Sequence, residues 1–537
     1  MRHLIAGALA GALAVGTQLS APSSAFIAYF YGAAAGALVL WVLMSIGRLL
    51  WRRRRDALPH WVELAVALTL VIAVGAHQRF APPAPMVILL VVDCMRADLL
   101  NGDTAPQLTK LAATSWTFRE ARAHSSWTRS SMPSLLSSRL PAEHGLYRTT
   151  PPDKIRPEIV MISQVFDEAG WATAGFAEQA QLERVFGYGR GFQLYDPHVG
   201  DARALHRVAG LWNRFFRGGP RFLYLHYMDI HGPYTPEKRW LAKGLPQSRI
   251  PLRPGSKWRD AIRDIRHGRL AVSAGDWAFL RGQYDAEMRE LDAELGKQLR
   301  AWERDGTLDE AWLVLTADHG EAFGEHGAIE HVSTPWDVLL RVPLLIRPPG
   351  GTEGLVIDDP VMLTDVMPTL FAAAGLNLPP EAYGRDLQPL VRGEKIKDLP
   401  GFAEERASKV QRVAVWWHGW KLLLELPGPD ATPEHIKRAT PVLAEPHLYH
   451  VLQDPHELTN LAPTMPEKVA ELEGLMVAYE RAVREKRRVQ DVDWEAAARS
   501  GERWAPSAPT ATAAADVSAE TMRALEELGY VDGAEVE

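Results

Sequence analysis

A single cysteine, Cys94, in a chain of 537 residues excludes an internal disulfide. It leaves the compartment open, because an oxidising compartment permits disulfides without requiring them. A basic excess is also missing: 59 Lys and Arg stand against 66 Asp and Glu, a net charge of -7. No broad basic surface is implied, which argues against a nucleic-acid binder. No internal repeat is visible, so no repeat architecture is expected. What the chain does have is length and apolar content. At 537 residues and 47% hydrophobic, it can build a large core with further elements around it.

The first 80 residues differ in kind from the rest. Leu4 to Leu19, Ala25 to Leu50 and Trp61 to Ala76 are apolar runs, and Arg52-Arg53-Arg54-Arg55 follows the second. The middle run is long enough to span a bilayer, and the outer two are borderline. The arginine run should remain in the cytoplasm. Everything after Ala76 is then expected on the extracytoplasmic side of a plasma or inner membrane. The first run reads either as a membrane span or as a cleaved signal peptide. Both versions put the large domain outside.

Ala81-Pro82-Pro83-Ala84-Pro85 reads as a stiff linker. Beyond it, strand-like apolar runs alternate with helix-like segments, the pattern of an α/β layered sheet. Residues 81–399 are read as one α/β domain with a central, mostly parallel sheet. Residues 400–463 are read as a smaller β-containing subdomain and 464–537 as a helical, partly flexible tail. Trp277 to Arg304 reads as a long helix, with Leu280, Tyr284, Met288, Leu291 and Leu295 at helical spacing. Arg412 to Trp417 and Trp420 to Leu424 read as hairpin strands around His418-Gly419.

Two core strands carry the chemistry. Met86 to Val92 ends on Asp93, and Trp312 to Thr316 runs on to Asp318-His319-Gly320-Glu321. Ligands in open α/β sheets sit beyond the carboxyl ends of the strands. Asp93, Asp318 and His319 should therefore meet at one edge, with donors suited to a divalent cation. Between them in sequence, Ser125 to Gly145 reads as a loop entering a helix. Pro133 is expected in its first turn, where no backbone donor is needed. The start of such a helix suits an anion.

In order along the chain, several segments resemble the sulfatase family of the alkaline phosphatase superfamily. They are Asp93 with Met95-Arg96-Ala97-Asp98, Phe192 to Asp196, and Leu223 to Tyr234. They continue with Asp318 to Glu321, Arg341 to Ile346, Asp365 to Leu370, and Leu448 through Leu461. Together they cover about Met86 to Leu461. The resemblance implies an ester-cleaving α/β fold, a bound metal and a nucleophile at the start of the helix. It also implies that His231 contacts substrate and that His331 faces the site. Lys421 stands where the family often brings a basic group to the anion, and Arg129 is a candidate for the missing motif arginine.

The departures set the expected chemistry. The family converts a Cys or Ser in Cys/Ser-x-Pro-x-Arg to formylglycine. Here that position aligns with Thr128, the Pro with Ser130 and the Arg with Met132. Threonine cannot yield the aldehyde, so no formylglycine is expected. A second alignment makes Ser131 the nucleophile. The Asp318-His319 pair, where many sulfatases have Asp-Asn, resembles phosphate-acting relatives. The Thr resembles that of the membrane-bound phosphoethanolamine and glycerol-phosphate transferases. The expectation is one divalent ion held by Asp93, Thr128, Asp318 and His319, and His319 favours Mn or Zn over Mg or Ca. Catalysis is assigned to Thr128, His231 and His331, and substrate binding to Arg129 and Lys421. The expected substrate is a phosphate or sulfate ester, with phosphoryl chemistry favoured and lipid or envelope glycan as sources. A catalytically silent, anchored binding module is the rival of another class.

Overall fold

The computed structural model describes residues 83–147, 153–252, 255–331, 334–405, 410–427 and 445–504, with a few positions between 517 and 525. The apolar runs of the first 80 residues lie outside them, as does much of the tail. Among the described residues no helix is long and apolar enough to cross a membrane.

The strands follow in chain order as β1 (Met86–Val92), β2 (Trp116–Arg122), β3 (Ala172–Ala177), β4 (Leu194–Asp196), β5 (Arg221–Tyr227), β6 (Ala311–Thr316), β7 (Ala322–Phe323), β8 (Ile329–Glu330), β9 (Arg341–Arg347), β10 (Leu355–Ile357), β11 (Val361–Met362), β12 (Gly401–Glu405), β13 (Val410–Trp417), β14 (Trp420–Pro427) and β15 (His447–His450). The central sheet runs β10-β2-β9-β6-β1-β5-β3-β4, with β11 beside β2. β1 lies mid-sheet, parallel to β5 and β6, and every one of its residues is buried. A strand covered on both faces has no polar side to keep wet, which is why it reads as an unbroken apolar run.

The sheet is mixed. β9 runs antiparallel to both β2 and β6. A parallel return needs a long crossover, usually a helix. Between β6 and β9 the described chain offers only the β7–β8 hairpin and short helical turns such as Asp337–Leu340.

Three helices matter for the site: α1 (Thr128–Ser137), α2 (Ala274–Arg304) and α3 (Pro466–Arg484). Ser273 and Asp276 cap the start of α2 reciprocally: the Asp276 N–H donates to Ser273 Oγ (3.2 Å) and the Ser273 N–H to Asp276 Oδ2 (3.0 Å). Leu280, Tyr284, Met288, Leu291 and Leu295 form its buried face, as their spacing predicts.

β12 to β15 form a separate antiparallel sheet. The β13–β14 turn is the two residues His418 and Gly419, both at positive φ (51° and 79°). That is the backbone a tight hairpin between right-twisted strands requires. Leu472, Leu475, Met476 and Tyr479 of α3 cover this sheet. Tyr479 and Tyr147 both donate to the buried Glu404 carboxylate (2.6 and 3.1 Å), tying α3, β12 and the segment after α1 together.

Candidate active site

The parallel register of β1 and β6 leaves Asp93 and Asp318 just past adjacent strand ends. Both carboxylates and His319 are fully buried. One ligating atom from each lies within 4.8 Å of the others. Asp93 Oδ2 accepts from Gln179 Nε2 (2.8 Å) and His226 Nε2 (3.1 Å). Burial opposes its charge. The His226 hydrogen bond and the nearby histidines outweigh burial and hold the Asp93 carboxyl well below the usual range. Asp318 goes the other way, pushed up by burial and by the neighbouring Asp93 charge. Asp318 Oδ1 accepts from the backbone N–H groups of Cys94 (3.2 Å) and His319 (2.9 Å). Its Oδ2 lies 3.3 Å from His319 Nε2 and accepts no hydrogen bond of sound geometry among the described residues.

His319 Nδ1 donates to the Gly320 carbonyl at 3.0 Å, which fixes the tautomer with a lone pair on Nε2. That atom is 3.3 Å from Thr128 Oγ1. Thr128 Oγ1 also lies 3.4 Å from Asp93 Oδ2. A divalent cation fits these residues. Two buried carboxylates that repel one another, one of them with an orphaned oxygen, and an imidazole with its lone pair turned inward form a hard-to-borderline donor set. Asp93, Asp318 and His319 would hold the ion, with Thr128 Oγ1 beside them.

Thr128 is the first residue of α1, behind the extended Trp127. Ser131, the other candidate nucleophile, donates its hydroxyl to the Asp318 carbonyl at 2.6 Å. The structure thus sets Thr128 Oγ1, and not Ser131 Oγ, against the acids. Pro133 departs from expectation: it sits inside α1, not in its first turn. Its missing N–H orphans the Arg129 carbonyl one turn back, and the Tyr188 hydroxyl donates to that oxygen at 3.1 Å.

His331 stacks on His319 (centroids 4.5 Å apart) and meets His231 edge-on (4.9 Å), so the three rings form a row. His231 Nδ1 donates to the Gly232 carbonyl at 2.7 Å, and its ring is partly exposed. His331 Nδ1 lies 3.3 Å from both Cys94 Sγ and Glu321 Oε1.

Two expected anion contacts are placed elsewhere. Arg129 is buried over the Phe186 ring (4.0 Å) and its Nη2 donates to the Asp153 carbonyl (2.7 Å), while Nε and Nη1 have no hydrogen-bond partner among the described residues. Lys421 is fully buried with its Nζ 2.6 Å from Glu457 Oε1 and 3.9 Å from Asp337 Oδ1, and Asp337 also binds Arg122. A residue on a central strand of the small sheet points either to solvent or into the seam, and here the seam supplies two carboxylates. Lys421→Met is therefore expected to lower thermal stability, by about 3–5 kcal/mol for a broken buried pair, while leaving KM near the parent value. Unfolding and initial-rate measurements on the same preparation separate the two effects.

Four contributors are not evident from sequence. Gln179 and His226 orient Asp93. Glu321, whose carboxyl burial pushes up to about 7, accepts from Tyr234 (3.0 Å) beside His331. Tyr284 on α2 donates to the Cys94 carbonyl (2.6 Å) and accepts from the Arg96 N–H (3.1 Å), pinning the turn after Asp93, where Cys94 adopts φ 63°. Only His226 leaves a signal, a histidine inside a buried strand rich in apolar and aromatic residues.

Gly320 lets the backbone close on the Val338–Leu339 segment: its N–H donates to the Leu339 carbonyl at 2.7 Å. A Cβ there would collide with the Val338 carbonyl oxygen, backbone against backbone. Gly320→Ala is expected to cost about 1–3 kcal/mol and to weaken cation binding by displacing His319. Thermal melts with and without Mn2+ or Zn2+ check both.

Comparison with known proteins agrees with this geometry. The family model described as "Sulfatase" matches residues 85–376, more than half of the chain. "Sulfatase" from Formosa agariphila is 25% identical over 395 residues, covering 58% of this chain and 74% of its own. Arylsulfatase K from Xenopus laevis is 29% identical over 205 residues, 36% of each chain. The present chain thus spans about a third of that relative's length. Among solved structures, a phosphonate monoester hydrolase from Silicibacter pomeroyi superposes with a TM-score of 0.57 at 19% identity, covering 76% of this chain and 96% of its own. A 2-O GAG sulfatase gives a TM-score of 0.57 at 17% identity, covering 80% of this chain and 98% of its own. Two strand-end acids, an imidazole and a hydroxyl at a helix start thus occur on a sulfatase-like scaffold, and the chain belongs to the sulfatase family.

Proposed function

We propose that the chain is a membrane-anchored, metal-dependent enzyme that cleaves or transfers an ester group outside the cytoplasm, with Thr128 as its nucleophile and phosphate favoured over sulfate. The observation that carries this reading is the position of Thr128 Oγ1, 3.4 Å from Asp93 Oδ2 and 3.3 Å from His319 Nε2 at the start of a helix. A divalent cation held by Asp93, Asp318 and His319 would supply charge neutralisation for the anion and acidify the threonine hydroxyl.

The protein's own groups do the rest. Thr128 Oγ1 forms the new bond to phosphorus as its proton is lost to water, while the bond from phosphorus to the leaving oxygen breaks. The leaving oxygen takes a proton from His231, whose ring is partly exposed, while His331, which burial holds neutral, lies beside it facing the site. Water or an acceptor hydroxyl then displaces Thr128 and restores it. The start of α1, with the positive end of its dipole, suits the anion. Membrane attachment rests on the three apolar runs and the arginine run of the first 80 residues.

A second reading, sulfate-ester hydrolysis without formylglycine, is supported by the sulfatase names among the relatives. Initial rates on aryl phosphate, phosphodiester and sulfate esters, measured side by side with Mn2+ or Zn2+, decide between them. Faster phosphoryl turnover is expected, and faster sulfate turnover would overturn the preference.

A further inference from the structure

The point where the chain enters the domain lies at the opposite end of the sheet from the active site. Pro83 and Pro85 are exposed, and the Pro85 carbonyl accepts from the Arg221 N–H at the start of β5. β1 then runs upward through the middle of the sheet and delivers Asp93 at its far end. Its seven residues rise about 23 Å at ~3.3 Å per residue.

The last apolar run ends at Ala76, so nine residues, 77–85, separate it from β1. Fully extended they reach at most about 32 Å, and less in the polyproline form their composition favours. A globule of this size has a radius of gyration of about 22 Å. To turn the active-site mouth toward the bilayer, the linker would have to cross half the lower face and then descend the flank. That path is on the order of 50 Å, beyond its reach.

The lower end also carries a surface suited to a bilayer. Leu211 and Phe215, 62% and 59% exposed, lie one turn apart on the helix Ala202–Phe215. Phe215 is six residues before Arg221, next to the chain's entry point. Arg207 and Arg214 are exposed on the same helix and have no carboxylate partner among the described residues. Glu310, at the same edge, is engaged by Arg221 (2.7 Å) and Arg217 (3.6 Å), while Glu303 and Asp309 near it are exposed. Exposed aromatic and aliphatic groups flanked by arginines match the interfacial zone of an anionic bilayer.

We infer that the lower end of the sheet, with Leu211 and Phe215, rests on the bilayer surface, and that the active site opens away from the membrane. This rests on the anchoring reading above and narrows its substrate class. The mouth takes an ester arriving from the aqueous side, such as a glycan or small soluble ester, and not a headgroup in the bilayer that anchors it.

The lone native cysteine is fully buried, which permits single-site labelling. Full-length Leu211→Cys, Phe215→Cys and Thr235→Cys variants, each carrying a polarity-insensitive fluorophore, are reconstituted into anionic vesicles containing headgroup-nitroxide lipid. Thr235 is exposed on the loop after the upper end of β5. The labels at 211 and 215 are expected to lose most of their emission and the label at 235 to keep it. Quenching at 235, or none at 211 and 215, in protein that floats with the vesicles overturns the orientation and leaves the anchor standing. Full-length protein that fails to float overturns the anchor and the orientation together.

Discussion

Thr128→Ala is expected to remove turnover, by on the order of 10^4-fold or more in kcat, as losing a covalent nucleophile does elsewhere. The fold should survive it. The hydroxyl's two contacts are long, 3.3 and 3.4 Å, and an ordinary hydrogen bond contributes only about 1 kcal/mol. The variant should therefore melt near the parent and still bind the cation. Thr128→Ser keeps a hydroxyl at the same place and should retain measurable activity. Thr128→Cys should not be converted to an aldehyde, because Ser130 and Met132 stand where the modification motif needs Pro and Arg; intact mass reads this directly. If Thr128→Ala turned over every ester as fast as the parent, the nucleophile assignment would fall; if neither turned over any ester in metal-replete protein, the binding-module reading would stand.

The second large effect is on cation-linked stability. Ligand binding to the folded state adds RT ln(1 + [L]/Kd), about 2.7 kcal/mol at a hundredfold excess over Kd. Mn2+ or Zn2+ should accordingly raise the parent's melting temperature, and EDTA should lower it again. Asp318→Asn should abolish that response with an opposite effect on the metal-free protein. The Asn retains an oxygen for the Cys94 and His319 N–H groups and removes one of two mutually repelling buried charges. Metal-free Asp318→Asn should thus be at least as stable as the metal-free parent. A parent melting temperature indifferent to Mn2+, Zn2+, Mg2+ and Ca2+ would remove the metal centre from the account.

Much of this architecture was legible because buried strands write themselves as apolar runs. Met86–Val92 and Ala311–Thr316 are recognisable from composition alone, and the acids at their ends follow from the position of ligand sites in α/β sheets. The β13–β14 hairpin was equally open, since His418-Gly419 supplies the two positive-φ residues the turn needs. The antiparallel β9 was not, because a strand buried on both faces carries no mark of its direction. The surroundings of Lys421 and Arg129 are not legible for a related reason. A basic residue near a motif reads as an anion contact, yet its partner is set by what tertiary packing brings: Glu457 and Asp337 for one, Phe186 and the Asp153 carbonyl for the other. Pro133 misled through a local rule whose penalty the distant Tyr188 hydroxyl offsets.

The central claim is a covalent bond between Thr128 and the transferred group. The direct test is intact-mass analysis and peptide mapping of the purified full chain after incubation with Mn2+ or Zn2+ and a panel of aryl phosphate, phosphodiester and sulfate esters, quenched in acid. A mass gain equal to the transferred group, mapped to Thr128 and missing from Thr128→Ala, is the expected result. An adduct on another residue, or turnover in Thr128→Ala equal to the parent's, would contradict it.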